Sequence, residues 1–233
     1  MYLERLHRAL PQVHQRIEAA CERVGRSDAE SITLVGITKG HPIEALVAAR
    51  DAGLKVIGEN RVQEARGKWE AAGDQDLTWH LVGHLQRNKV RQALQMFRLI
   101  QSVDSLRLAQ AIDKEAAKLG DDAAVLVEVN ASGEEAKHGF PVEDGESALR
   151  DVCRLDHVRV VGLMTMAPFT SDEEVLRRTF KRTRQLFEQC RDGLEGFEAL
   201  HLSMGMTNDY EVAVEEGATM VRLGTVLFGE RER

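Results

Sequence analysis

Residues 31–42 read SITLVGITKGHP. From Ile32 to Thr38 the run is largely apolar and does not alternate apolar with polar. A strand of that kind is covered on both faces, the condition of a strand in a parallel sheet with helices packed over it. Gly40 and Pro42 then close the run and leave Lys39 where the strand would exit the sheet.

The same pattern recurs along the chain. Further strand-like runs are KVIG (55–58), TWHLV (78–82), RLIQS (98–102), AAVLVEVN (123–130), VRVVGLM (158–164), ALHLS (199–203) and TMVRLG (219–224). The stretches between them have helical spacing. Leu108, Ile112, Ala116 and Leu119 fall on one face, as do Leu176, Phe180, Thr183 and Phe187 behind a capping box formed by Ser171 and Glu174. The triplets DAG, KLG and EEG place glycine where helices stop. Ahead of the first strand, Leu3, Leu6, Leu10, Val13, Ile17, Ala20 and Val24 mark a leader helix that Pro11 is expected to start or kink. Eight strands alternating with helices predict a single (β/α)8 TIM barrel over residues 31–233, with residues 1–30 as an N-terminal helical leader packed on it. A doubly wound open sheet is the structural alternative.

The bulk composition narrows the function. The chain has 233 residues and a formal net charge of -7, which argues against general affinity for nucleic acid or anionic membranes. No apolar run approaches the roughly 20 residues that span a bilayer, and the charged N-terminus does not read as a secretory signal. Cys21, Cys153 and Cys190 are scattered and odd in number, the pattern of reduced thiols in a cytoplasmic protein. No Cys-x-x-Cys pair is present, so a structural zinc site is not expected.

In such a barrel, chemistry collects at the C-terminal ends of the strands. Those ends supply Thr38 and Lys39; Gly58, Glu59 and Asn60; Gly83 and His84; Asn130; Met164, Thr165 and Met166; Ser203, Met204 and Gly205; and Arg222, Gly224 and Thr225. Barrels often bind phosphate with the loops after strands seven and eight. Here SMGMTND offers Ser203, Gly205 and a helix opening at Thr207 or Asn208, and RLGT offers Gly224 and Thr225. Ordinary capped turns would look the same. Lys39 is either a rim lysine with its head in water or an amine whose pKa is lowered by burial and which attacks a carbonyl. Together with a phosphate cradle it describes an aldehyde held as a Schiff base at one end and by its phosphate at the other. Arg222 shares a strand face with Gly224. An inward Arg needs a partner, either a ligand such as a pyridine nitrogen or an acid such as Glu59.

The segments LVGITKGHP, VIGENRVQEARGKW, WHLVGHLQRNKVR, IQSVDS, VEVNASGEEAKHGF, GLMTMAP and LSMGMTNDYEVAVEEGATMVRLGTVLFG resemble, in the same order, the pyridoxal phosphate homeostasis proteins (the YggS/PROSC family). Their barrel is similar to the N-terminal domain of alanine racemase. The resemblance implies a fold type III site for pyridoxal 5'-phosphate, bound covalently through Lys39. It also implies that Ser203, Gly224 and Thr225, helped by Gly205, hold the cofactor phosphate, that Arg222 faces the pyridine nitrogen and that Asn60 lies beside the cofactor. Arg61 and Arg87 depart from the family pattern at the rim.

A racemase of this type needs a second base opposite the lysine, usually a Tyr from a second domain of a partner subunit. Tyr2 stands at a start expected to be poorly ordered, Tyr210 lies beyond the phosphate motif, and no second domain is evident. The expected function is therefore non-catalytic: a cytoplasmic monomer that binds pyridoxal phosphate, takes part in its intracellular homeostasis and has apo-forms of pyridoxal-phosphate enzymes as recipients. The alternatives are a pyridoxal-phosphate-dependent amino-acid racemase or lyase, and a cofactor-free Schiff-base aldolase. His80 and His84 share a strand face about 13 Å apart, so no metal site is expected from that pair. His84 is a candidate for the cofactor rim or for a structural loop. The basic stretch RNKVRQALQMFR reads as a solvated helix face, or as a surface for an acidic partner or RNA. The 131–141 loop is either a cover for the mouth or a passive connection.

Overall fold

The computed structural model describes residues 1–72, 76–134 and 138–230. Helix α1 (Tyr2–Arg23) leads into β1 (Thr33–Ile37), α2 (Ile43–Asp51), β2 (Val56–Glu59), α3 (Val62–Ala72), β3 (Thr78–Leu81), α4 (Val90–Met96), β4 (Leu99–Val103), α5 (Leu106–Leu119) and β5 (Ala123–Asn130). After these come β6 (Phe140–Pro141), α6 (Gly145–Cys153), β7 (Val158–Met164), α7 (Glu173–Arg191), β8 (Phe197–Ser203), α8 (Tyr210–Glu215), β9 (Met220–Leu223) and α9 (Thr225–Phe228).

Eight strands pair in parallel in the order β4-β3-β2-β1-β9-β8-β7-β5, and β5 returns to β4. The ring is closed, so the fold is a TIM barrel with an added N-terminal helix. The open-sheet alternative does not apply. The two-residue β6 is an addition that pairs with Val129 and Asn130 at the end of β5.

Period-2 alternation divides the core into two layers. Val35, Ile37, Leu99, Leu126, Val161, Met164 and Met220 form the layer inside the ring. Their strand neighbours, such as Leu34, Ile100, Val125, Val127 and Val221, point outward and meet Leu108, Ile112, Phe180 and Phe187 on the helices. Both faces of most strands are thus buried, which is why their runs read as continuously apolar; β8 differs, with Glu198 and Leu200 exposed.

Helix α1 buries Leu6, Leu10, Val13, Ile17 and Ala20 as one stripe and packs on α2, α8 and α9. It passes through Pro11 without interruption. Pro11 lies on the exposed face, opposite the docked stripe that holds the helix across the one missing hydrogen bond. The cap of α7 is Asp172 rather than Ser171. Asp172 Oδ1 accepts from the N–H groups of Glu174 (3.0 Å) and Val175 (3.4 Å). Gly53, Gly120 and Gly217 follow their helices with φ of 84°, 70° and 100°, the left-handed stop that glycine allows. Cys21, Cys153 and Cys190 are free thiols. Among the described residues, no helix is long and apolar enough to cross a membrane.

Candidate cofactor site

The barrel interior is not wholly apolar. Arg222, on the inward face of β9, is 4% exposed. Its Nη1 donates to Ser203 Oγ at 2.7 Å and its Nη2 to the Thr165 carbonyl at 2.8 Å. Ser203 Oγ donates to Gln101 Oε1 at 2.7 Å, and Gln101 Nε2 lies 3.0 Å from His80 Nδ1. A polar chain thus runs from the mouth to the middle of the barrel, with each buried group satisfied by the next. Burial lowers the Arg222 pKa to about 10, opposed by Asp209 and Glu128. Burial also lowers His80 to about 3, with His201 adding to it, so His80 is neutral. Glu59, offered above as a partner for Arg222, points the other way, out of the ring towards α3.

Above this chain lies a cavity of about 290 Å³ at the C-terminal face, near the lower end of the range for small-molecule sites. Lys39, Asn60, Arg222, Gly224 and Thr225 line it, together with Ile37, His41, Val82, Met166 and Thr207. A side chain at Gly224 would come to 3.5 Å from Ile37 Cβ, so its absence opens main chain to the cavity. The loop carrying Lys39 is held from outside the ring. Lys68 Nζ donates to the Thr38 carbonyl at 2.7 Å, and Glu64 Oε1 accepts from the Gly40 N–H at 2.5 Å.

Two residues predicted for the site lie behind it. Ser203 is fully buried and its hydroxyl is engaged by Gln101 and Arg222. Gly205, with φ of 94°, lets the loop pass tightly against α8, where a Cβ would stand 2.6 Å from Ala213 Cβ and 2.9 Å from Tyr210 Cα. Beside it, Asp209 Oδ1 accepts from the Met206 N–H at 2.5 Å and shapes the 206–209 turn. Burial, opposed by this hydrogen bond and by Arg222, raises the Asp209 carboxyl.

Sequence reasoning missed His41 and, beyond Met166, the Ala167–Thr170 segment. The apolar-strand pattern carries no signal for either, although KGHP places His41 two residues from Lys39. Tyr2 is not loose at the start of the chain. Its hydroxyl is 3.2 Å from His41 Nδ1, and His41 also packs on Phe228 at 5.6 Å between ring centroids. Tyr210 is buried against α1 and its side chain does not reach the cavity. His84 pairs with Asp104 instead of lining the cavity. Part of the 131–141 loop, residues 135–137, lies outside the described residues.

Residues 10–232 match the family described as the alanine racemase N-terminal domain, which defines the class of barrel. Within that class the chain is 45% identical over 230 residues to the pyridoxal phosphate homeostasis protein of Aquifex aeolicus, covering 98% of each. The chain belongs to the family of pyridoxal phosphate homeostasis proteins. Among solved structures, an unknown protein from Bifidobacterium adolescentis superposes with a TM-score of 0.89 at 37% identity, covering 97% of this chain and 96% of that one. PipY of Synechococcus elongatus, with pyridoxal phosphate bound, gives 0.80 at 35% identity, covering 93% of this chain and 100% of that one.

Proposed function

We propose that the chain binds pyridoxal 5'-phosphate in this cavity, linked covalently through Lys39 Nζ, and takes part in intracellular homeostasis of the cofactor without turning over a substrate. One observation carries the reading: Lys39 shares a cavity with Arg222 and with the Gly224–Thr225 turn, the donor set that an aldehyde with a phosphate tail requires. The cofactor bound in PipY supports it. When bound, the group supplies an electrophilic aldehyde carbon.

Lys39 is the amine that holds that carbon, and the outer clamp on Thr38 and Gly40 keeps the amine aimed into the cavity. Thr225 and Thr207 offer hydroxyl donors, and Gly224 offers main chain, to the phosphate. Arg222 is a donor without an acceptor, so it suits a ring nitrogen that stays unprotonated, and this weakens the ring as an electron sink. Asn60, which lines the cavity, would stand beside the ring. Ser203 and Gly205 act from behind, Ser203 by fixing Arg222 and Gly205 by fixing the 206–209 turn. The recipients in this reading are apo-forms of pyridoxal-phosphate enzymes, and the chain acts as a cytoplasmic monomer.

The test is spectroscopic. Purified protein with added pyridoxal phosphate is expected to absorb in the visible, to lose that band on borohydride reduction and to carry the label on Lys39. Lys39→Ala is expected to carry none. A label on another residue overturns the site.

A second reading, an amino-acid racemase or lyase, is favoured by His41, which lines the cavity and is hydrogen-bonded to Tyr2, a pair able to move a proton. A racemisation screen across the amino acids separates the two. Turnover abolished by Lys39→Ala and by His41→Ala would defeat the carrier reading.

A further inference from the structure

Three loops on the barrel's C-terminal face, after β3, β4 and β5, bring His84, Asp104 and His138 together. Their ligand atoms all lie within 4.8 Å of one another. His84 Nδ1 is 3.0 Å from Asp104 Oδ2, and His138 Nδ1 is 3.8 Å from the same oxygen. The two imidazoles stack with centroids 5.1 Å apart. We propose that these three side chains form a binding site for a divalent transition-metal ion of the zinc class.

The geometry favours this over a simple carboxylate–imidazole contact. In a tetrahedral site with metal–ligand bonds of about 2.0–2.1 Å, neighbouring ligand atoms stand roughly 3.3 Å apart. The spacings of 3.0 and 3.8 Å bracket that value. A hydrogen bond from His84 to Asp104 would account for the first distance, and stacking for the closeness of the rings, but neither requires the second ring to turn its Nδ1 to the same oxygen.

The carboxylate and the start of the His84 loop are supported from behind. Ser105 Oγ donates to Asp104 Oδ1 at 3.1 Å and leaves Oδ2 for the two rings. Ser102 Oγ donates to the Gly83 carbonyl at 2.7 Å and fixes the residue before His84. Gly83 has no room for a side chain, because a Cβ would run into the backbone of Asn60. The Asp104 side chain is 10% exposed, against 51% for His84 and 65% for His138. The carboxylate is thus anchored, and the two rings are free to close on an ion. Two imidazoles and one carboxylate select zinc, cobalt, nickel or copper over calcium or magnesium. Three protein ligands leave the fourth position to water. Binding requires both Nδ1 atoms unprotonated, with the ring protons on Nε2.

Nearness in the chain does not reveal this cluster. His80 and His84 are close in the chain, but His80 is inside the barrel on Gln101, and the partners of His84 come 20 and 54 residues later.

Cobalt(II) titration of tag-free protein, followed by its visible d–d absorption, tests the site. A zinc competition with a chromogenic chelator gives the affinity. The expected result is one equivalent bound, with affinity at least tenfold weaker in His84→Ala, in His138→Ala and in the isosteric Asp104→Asn. The histidines are exposed, so their variants are expected to keep the wild-type circular dichroism and melting temperature. Absence of a saturable one-equivalent cobalt band overturns the proposal, as does wild-type affinity in the His84→Ala/His138→Ala double variant.

Discussion

Lys68 Nζ donates to Glu59 Oε1 at 2.6 Å, and that same carboxylate oxygen accepts from Thr38 Oγ1 at 2.6 Å. Lys68 is 8% exposed and Glu59 is fully buried, so this pair lies in the layer between barrel and helices, directly behind the strand end that carries Lys39. The other oxygen, Glu59 Oε2, is buried without a hydrogen-bond partner among the described residues. Burial raises the Glu59 carboxyl, and the nearby Lys68 opposes the rise.

Removing one partner of a buried pair is worse than removing both, because the remaining charge is stranded. Lys68→Met is therefore expected to cost roughly 3–5 kcal/mol, read as a lower urea midpoint. The double variant Lys68→Met/Glu59→Gln is expected to recover part of it. The single variant also frees the Thr38 carbonyl, so borohydride labelling of Lys39 in the presence of pyridoxal phosphate is expected to fall. An unchanged urea midpoint in Lys68→Met would show that the cluster contributes nothing.

Glu128 predicts a pH dependence. Its pKa is raised to about 7, by burial foremost and then by Asp104, with Arg222 and His84 opposing. A raised folded pKa means that the folded chain holds the proton more tightly than the unfolded chain. The stabilisation is full below the unfolded value, near 4.5, and is lost as pH rises through 7. The span of about 2.5 units corresponds to roughly 3 kcal/mol. His80 works in the opposite sense: its pKa is lowered to about 3, so its contribution is present above about 6.5 and is lost as pH falls towards 3. Glu128→Gln is expected to be more stable than the parent at pH 8 and closest to it near pH 4.5. Urea unfolding across that range decides it, and parallel pH profiles would refute the assignment.

The barrel and part of the cavity lining were legible for one reason: strand periodicity fixes both face and end. Lys39, Asn60, Arg222, Gly224 and Thr225 reach the cavity because they sit at or just beyond strand ends. Ser203 obeys the same rule and still misses the cavity. Register decides this. Ser203 pairs with Met220, one inward layer below Arg222, and a single sequence carries no direct record of the relative height of two strands. Tyr2 on His41 and the His84–Asp104–His138 cluster were invisible because loops or a returning helix bring distant segments together, and no local period encodes that. The Asp172 cap was missed by one residue because Ser, Asp and Thr stand in a row there, and only the backbone shows which carboxylate or hydroxyl meets the open N–H groups.

Gly205 and Gly53 separate strain from crowding. Both have positive φ, 94° and 84°, but a Cβ at Gly53 meets nothing within 4 Å, whereas at Gly205 it meets Ala213 Cβ at 2.6 Å. Gly53→Ala is expected to cost about 1 kcal/mol from the backbone alone. Gly205→Ala is expected to add an overpacking penalty of roughly 1–3 kcal/mol and to push the 206–209 turn out of place. The two melting temperatures give the difference. Weakened pyridoxal phosphate binding is expected only for Gly205→Ala, since Gly53 lies at the far end of α2.

Arg222→Lys tests whether the guanidinium acts as a fork or only as a charge. Arg222 spans two acceptors, Ser203 Oγ and the Thr165 carbonyl, from two different nitrogens, and it also forms part of the cavity wall. A lysine keeps the positive charge near Asp209 and Glu128 but has one nitrogen on a flexible stem and no planar fork. At least one buried acceptor then loses its donor, at about 1–3 kcal/mol. A ligand bound to the folded chain raises its stability by RT ln(1 + [L]/Kd), so the rise in melting temperature on adding pyridoxal phosphate measures affinity independently of any reaction. That rise is expected to shrink in Arg222→Lys, while the Lys39 label persists at saturating cofactor because the amine itself is untouched. If the melting shift and the label were both unchanged, the charge of Arg222 would suffice and its fork geometry would have no part in the site.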